Sequence, residues 1–160
     1  MAEQLHRGAA SSLVATMGTI EIIIDQRILT IPSQGINILE YKEVFHQLEE
    51  SVIKHDGIGL AAIQINIPKR AFVVNYQGKM WWFANSIIVF RELPQKDTEG
   101  CLSIPGRHFE VRRPTHIKVK DDINGEQEYG GMLARIIQHE HDHTMGKTLI
   151  QTGKLVSKEK

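Results

Sequence analysis

Residues 139–143 read His-Glu-His-Asp-His, and this run constrains the fold more than any other. His139 and His143 are four apart, which on a helix puts both rings on one face. There they can share one metal ion, while Glu140 beside them can act on a water bound to that ion. The surrounding pattern predicts a helix over residues 130–144, with Gly146 as its C-terminal stop. The competing reading is a solvated charged face, which helices rich in histidine and glutamate often present.

The single cysteine, Cys101, favours the metal. It sits in Glu99-Gly100-Cys101-Leu102-Ser103-Ile104-Pro105-Gly106, and a lone cysteine cannot form an internal disulfide. Free cysteines usually behave as small buried hydrophobes. Here, however, glycines free the backbone around the thiol, and the two-histidine site lacks a third ligand. Two imidazoles and a thiolate leave the fourth position of a tetrahedral ion open to water, as in a catalytic site. A third segment, Gly57-Ile58-Gly59-Leu60-Ala61-Ala62-Ile63-Gln64, follows a helical pattern and leads into a β-rich run. It is no phosphate loop, because no Lys-Ser/Thr and no G-x-G-x-x-G completes it. Its small residues let backbone pass close to a ligand, and Gln64 supplies an amide donor.

Periodicity supplies the frame. Ile20–Ile24 is a strand or a buried extended segment. Asn37, followed by Glu40, caps a helix that runs to about Lys54. Strands are expected over residues 70–76, 79–83, 86–90, 109–112 and 116–121, with turns at Gln77-Gly78 and Asn124-Gly125. The result is an α+β fold, antiparallel strands packed around a central metal-binding helix. The chain has 160 residues, enough for one domain, here placed at residues 19–152. Residues 1–18 read as a disordered tail, an added remnant or a weak targeting segment, and residues 153–160 as a short polar tail. Lysine plus arginine equals aspartate plus glutamate at 19 each, so charge gives no sign of a nucleic-acid partner. No apolar run is long enough for a membrane span, and a single thiol fits a reducing compartment.

The three segments, in this order and at this spacing, resemble the motifs of peptide deformylase, and the resemblance covers roughly residues 19–150. It implies hydrolysis of the N-formyl group from the formyl-methionine that begins new polypeptides. It also implies one divalent metal on Cys101, His139 and His143, with Fe²⁺ as the native ion and Zn²⁺, Ni²⁺ or Co²⁺ as substitutes. Glu140 would carry the proton, and the Gln64 amide and the Leu102 backbone N–H would stabilise the oxyanion. Ile58, Gly59, Glu99, Arg113 and Arg135 fall at substrate-binding positions, with Gly59 pairing to the extended peptide. Asp142 would support a ligand from behind. The implied protein is a cytoplasmic monomer, or an organellar one if residues 1–18 address it there.

Some residues depart from the family pattern. Ile63 and Ser86 stand where proline is common. Arg135, one turn before His139, stands where an apolar residue usually faces the methionine side chain, and Asp97 is a second polar residue near that wall. Arg135 is expected to extend its guanidinium to water, its stem completing the apolar wall; the alternatives are a guanidinium pointing inward, which narrows the pocket or favours polar side chains, and pairing to Asp97. The segment after Gly153 is too short and polar for the long C-terminal helix linked to ribosome docking, so ribosome contact would be transient at most. His141 is read as a surface histidine, as are His55, His108 and His116 as surface or core-edge residues. In Trp81-Trp82, one ring should face inward and the other cover the edge. The alternatives in other classes are a zinc peptidase, which leaves the cysteine and glycine motifs without a role, and a deformylase-like binding protein without turnover.

Overall fold

The computed structural model describes residues 20–158; the tail expected over residues 1–18 lies outside the described residues. The chain enters extended, with Ile22 fully buried and the Ile23 N–H donating to the Gln64 carbonyl at 2.8 Å. A short helix, α1 (Gln26–Leu29), follows. Asn37 then caps as its sequence context predicts. Its Oδ1 accepts from Leu39 N–H at 2.8 Å, and its own N–H donates to the Glu40 carboxylate at 2.9 Å. One 3₁₀ turn leads into α2 (Tyr41–Lys54). The apolar stripe of α2, Val44, Phe45, Leu48 and Val52, is buried against Leu60 and Val73.

Those two residues belong to a three-stranded antiparallel sheet, β1 (Gly59–Ala61), β2 (Ala71–Tyr76) and β3 (Lys79–Ala84), in that order. Gln77 and Gly78 turn between β2 and β3 with φ of 50° and 76°, the left-handed pair that a two-residue hairpin uses. On β3, Trp82 stacks on Phe45 with ring centroids 4.6 Å apart and donates from Nε1 to Glu49 at 2.5 Å. Trp81, on the opposite face, carries the Lys79 ammonium 4.6 Å above its ring.

The second sheet contains β4 (Ile87–Cys101), β5 (Ile104–Asp121) and β6 (Gly125–Gly130), with β7 (Lys154–Lys158) also on β5. Here the structure departs from the expected strands. β4 continues through an exposed, charged run that lacks inward-outward alternation, and β5 joins the two strands expected at 109–112 and 116–121. Pro94 pairs opposite Pro114, so both prolines lie inside a single long hairpin. The polar tail expected at 153–160 is corrected as well. Lys154–Lys158 forms a strand on β5, held by backbone pairing rather than by an apolar pattern.

The helix that carries His139 and His143, α3 (Gly131–Thr144), lies where both sheets meet. Ala134, Ile136 and Ile137 pack with Phe72 and Phe83 of the first sheet and with Ile117 and Val119 of the second. Full burial of an aliphatic or aromatic side chain is worth about 1.5–3 kcal/mol, so this seam fixes the helix firmly. At its end Gly146 has φ 78°, and a Cβ there would meet the Thr30 carbonyl oxygen at 2.7 Å. Only glycine fits. A last short helix, α4 (Leu149–Thr152), buries Leu149 against Phe109 and Val111.

Candidate active site

β4 and β5 close through the two-residue turn Leu102-Ser103, which leaves Cys101 opposite Ile104 at the tip. A bulge separates Glu99 from Cys101 on β4, and both side chains turn toward α3, where they meet His139 and His143. The thiol Sγ lies 3.5 Å from His143 Nε2, and the His139 and His143 ring centroids are 5.2 Å apart. One ligand atom from each of Cys101, His139 and His143 falls within 4.8 Å of the others. In a tetrahedral site with metal–nitrogen bonds of about 2.0 Å and metal–sulfur bonds of about 2.3 Å, ligand atoms stand roughly 3.3–3.6 Å apart. The donor set and its spacing fit a divalent ion.

Charge tells the same story. His139 Nδ1 is 2.9 Å from Glu99 Oε1, which fixes the ring and turns Nε2 to the ligand cluster. Burial disfavours a cation on His139, yet Glu140, Cys101 and Glu99 together push its pKa well above the usual value. Surroundings that draw a proton to His139 equally draw a metal cation. Burial holds the pKa of His143 well down, helped by His139 and Arg113, so its imidazole is neutral. Burial opposes ionisation of Glu99 too, but hydrogen bonds from His139 and Arg113 bring its pKa down to about 2.

Glu140 is almost fully buried, and burial pushes its carboxyl up to about 7. Its Oε1 has no hydrogen-bond partner among the described residues. Its Oε2 stands where a Cβ on Gly59 would come within 2.6 Å. Gln64, on the 3₁₀ turn Ala62–Ile65, accepts from Ala61 N–H at 2.9 Å and donates to Ser103 Oγ at 3.0 Å. The same amide nitrogen lies 3.6 Å from Cys101 Sγ. Glu140, Gly59, Gln64 and Cys101 line one open cavity of about 680 Å³, with Ile58, Leu102, Ile136 and Arg135 also in its walls. Among the described residues β1 pairs only with β2, so its other edge remains available beside Gly59.

The polypeptide deformylase family model matches residues 21–159. The chain belongs to that family. Peptide deformylase 1 of Clostridium perfringens is 41% identical over 115 residues, 68% of this chain and 78% of its own length. The peptide deformylase of Wolbachia sp. subsp. Drosophila simulans is 34% identical over 151 residues, 81% of this chain and 84% of its own. The peptide deformylase structure from Thermotoga maritima aligns with a TM-score of 0.79 at 29% identity, covering 84% of this chain and 97% of that one. As a peptide deformylase this chain is a metal-dependent hydrolase that removes the N-formyl group from nascent peptides. The peptidase alternative finds no support in these matches.

Several residues of the deformylase site lie elsewhere than the sequence suggested. Arg113, expected beside the substrate, lies behind the cavity. Its Nε and Nη2 donate to Glu99 at 2.7 and 3.0 Å, and its Nη1 donates to Asp142 at 2.9 Å. Asp142 thus holds the arginine that holds Glu99, and supports His139 through those two residues. Arg135 neither reaches water nor pairs with Asp97. It is 8% exposed and donates to Glu99 Oε2 at 2.5 Å, while Asp97 stays on the surface and accepts from Thr98 N–H. Glu99, which does border the cavity, is therefore shared by two arginines and a histidine. His141 is not a surface residue. Because α3 is covered on both sides, the face away from the metal ligands is buried too, and His141 Nδ1 lies 3.0 Å from Ser86 Oγ. Burial brings its pKa down to about 4. Of the other histidines, His108 borders the cavity, while His116 meets Glu128 at 3.0 Å. Sequence reasoning passed over Ser103 as a partner of Gln64, although it stands two residues after Cys101 in the same motif.

Proposed function

We propose that Cys101, His139 and His143 hold one divalent cation, Fe²⁺ in the cell, and that Glu140 transfers the proton during removal of the formyl group. The observation that carries this reading is the buried carboxylate of Glu140, unpartnered at Oε1, in a cavity that Cys101 and His139 also line, with His143 grouped behind them. A bound divalent ion would make water nucleophilic near neutral pH and polarise the formyl oxygen. Glu140 would take a proton from the attacking water and return it to the leaving amine. The Gln64 amide and the Leu102 N–H stand as donors to the developing oxyanion, a contribution typically worth about a hundredfold or more in rate per donor. Gly59, on the open edge of β1, and Ile58 just before it lie where an extended formyl peptide adds as a further strand.

In this reading the enzyme works as a monomer in the cytoplasm. No helix among the described residues is long and apolar enough to cross a membrane. A strand rather than a helix follows α4.

The close approach at Gly59 and the thiolate of Cys101 each carry an expected result. Gly59→Ala puts a methyl 2.6 Å from Glu140 Oε2 and 2.9 Å from its Cγ. The buried carboxylate must then shift, and a displacement of that kind costs about a hundredfold, read as kcat/KM for a formyl-methionyl peptide. An unchanged rate would show that Glu140 does not act from this position. A thiolate beside a redox-active ion is open to oxidation, so the iron-loaded enzyme should lose activity in air while the nickel or cobalt form persists. Equal air stability of the iron and nickel forms would count against iron held by Cys101.

A further inference from the structure

The large cavity has a neighbour. A second cavity of about 110 Å³, bordered by Gln95, Asp97, Pro114 and Thr115, shares Met132 and Arg135 with the first. We propose that the Arg135 side chain is the partition between the two and sets the longest first side chain that the enzyme accepts. This inference rests on the large cavity receiving the first side chain of the formyl peptide.

Three observations single out Arg135. Its guanidinium is fixed from several directions: Nη1 donates to Glu99 Oε2 and to the Val111 carbonyl at 3.1 Å, and Nη2 donates to the Gln95 carbonyl at 2.7 Å. These acceptors sit on both β4 and β5, so the side chain cannot swing aside without breaking bonds to two strands. Met132, the other shared residue, is 43% exposed against 8% for Arg135, and its unbranched thioether adapts readily. The fixed part of the wall is therefore the arginine stem. Gln95, which borders the small cavity, also anchors the guanidinium through its carbonyl. Removing the stem would join the two spaces into a deeper pocket.

The competing account is that Arg135 only braces Glu99. Two substitutions separate them, because Arg135→Met and Arg135→Ala both remove the guanidinium, yet only the second removes the stem. The test measures kcat and KM for formyl peptides whose first residue is methionine, norleucine, 2-aminooctanoic acid or 2-aminodecanoic acid. Forcing extra methylenes against a fixed wall costs roughly tenfold. Wild type and Arg135→Met should both handle the 2-aminodecanoic peptide about tenfold less well than the methionine peptide. Arg135→Ala should restore most of that loss, chiefly through a lower KM. A ratio unchanged in Arg135→Ala, or raised equally by Arg135→Met, overturns the partition. Should Arg135→Ala fail to fold, the wild-type series still decides, since equal use of the longest and the methionine peptides overturns it as well. Formate release from none of the substrates would instead contradict the activity itself.

Discussion

Glu140→Gln is expected to lower kcat/KM for a formyl-methionyl peptide by about a thousandfold and to leave the metal content as in wild type. The side chain is buried at 4% exposure, and its Oε1 meets no partner among the described residues. No hydrogen bond that holds the fold together therefore depends on its charge. Glutamine keeps the shape beside Gly59 but cannot take up a proton, and general acid–base groups contribute about 10²–10⁴ in rate. The three ligand side chains are untouched, so elemental analysis should find the same metal per chain. Thermal stability should hold or rise, because a buried carboxylate with no hydrogen-bonded partner at Oε1 is a cost to the folded state. Near-wild-type formate release from this variant would remove Glu140 from the mechanism.

Glu99→Gln should give the largest loss of stability. Its carboxylate accepts from Arg113 twice and from Arg135, and meets His139 Nδ1. Arg113 and Arg135 are 6% and 8% exposed, and Arg113 keeps only Asp142 as a carboxylate partner. Breaking a buried ion pair from one side costs about 3–5 kcal/mol, because the remaining charge stays uncompensated. In a chain of this size each kcal/mol moves Tm by about 2–4 °C, so the metal-free variant should melt roughly 6–20 °C below wild type. Metal affinity should also fall, by about 10–100-fold, since Glu99 fixes the ring of His139. A Tm within about 2 °C of wild type would mean that the two arginines find other compensation.

How much of this was legible in the sequence follows from where the information lay. The grouping of Cys101, His139 and His143 was readable because their patterns are specific: a four-residue histidine spacing on a helix and a lone cysteine between glycines complete one donor set. The capping of α2 at Asn37 and the turn at Gln77-Gly78 were readable because the signals are local. The length of β4 was not. Its middle is exposed on both faces, so no alternation marks it, and its partner lies across a hairpin that only the fold closes. The same holds for Lys154–Lys158, a strand held by backbone pairing to β5. Arg135 and His141 misled for a shared reason. A single-sequence reading puts charged and titratable residues at the surface, whereas α3 is enclosed by two sheets and must satisfy both faces. That enclosure turns Arg135 and Arg113 onto one carboxylate and gives His141 the hydroxyl of Ser86. Neither partner is near in sequence.

The measurement that tests the account most directly is formate release from a formyl-methionyl peptide by anaerobically purified full-length protein, before and after chelation. One divalent metal per wild-type chain should be found, with release lost on chelation and restored by Fe²⁺ or Ni²⁺. Cys101→Ala should bind little metal and recover nothing, and an unformylated peptide should stay intact throughout. Formate release that survives complete metal removal, or cleavage of the unformylated peptide, would contradict the assignment.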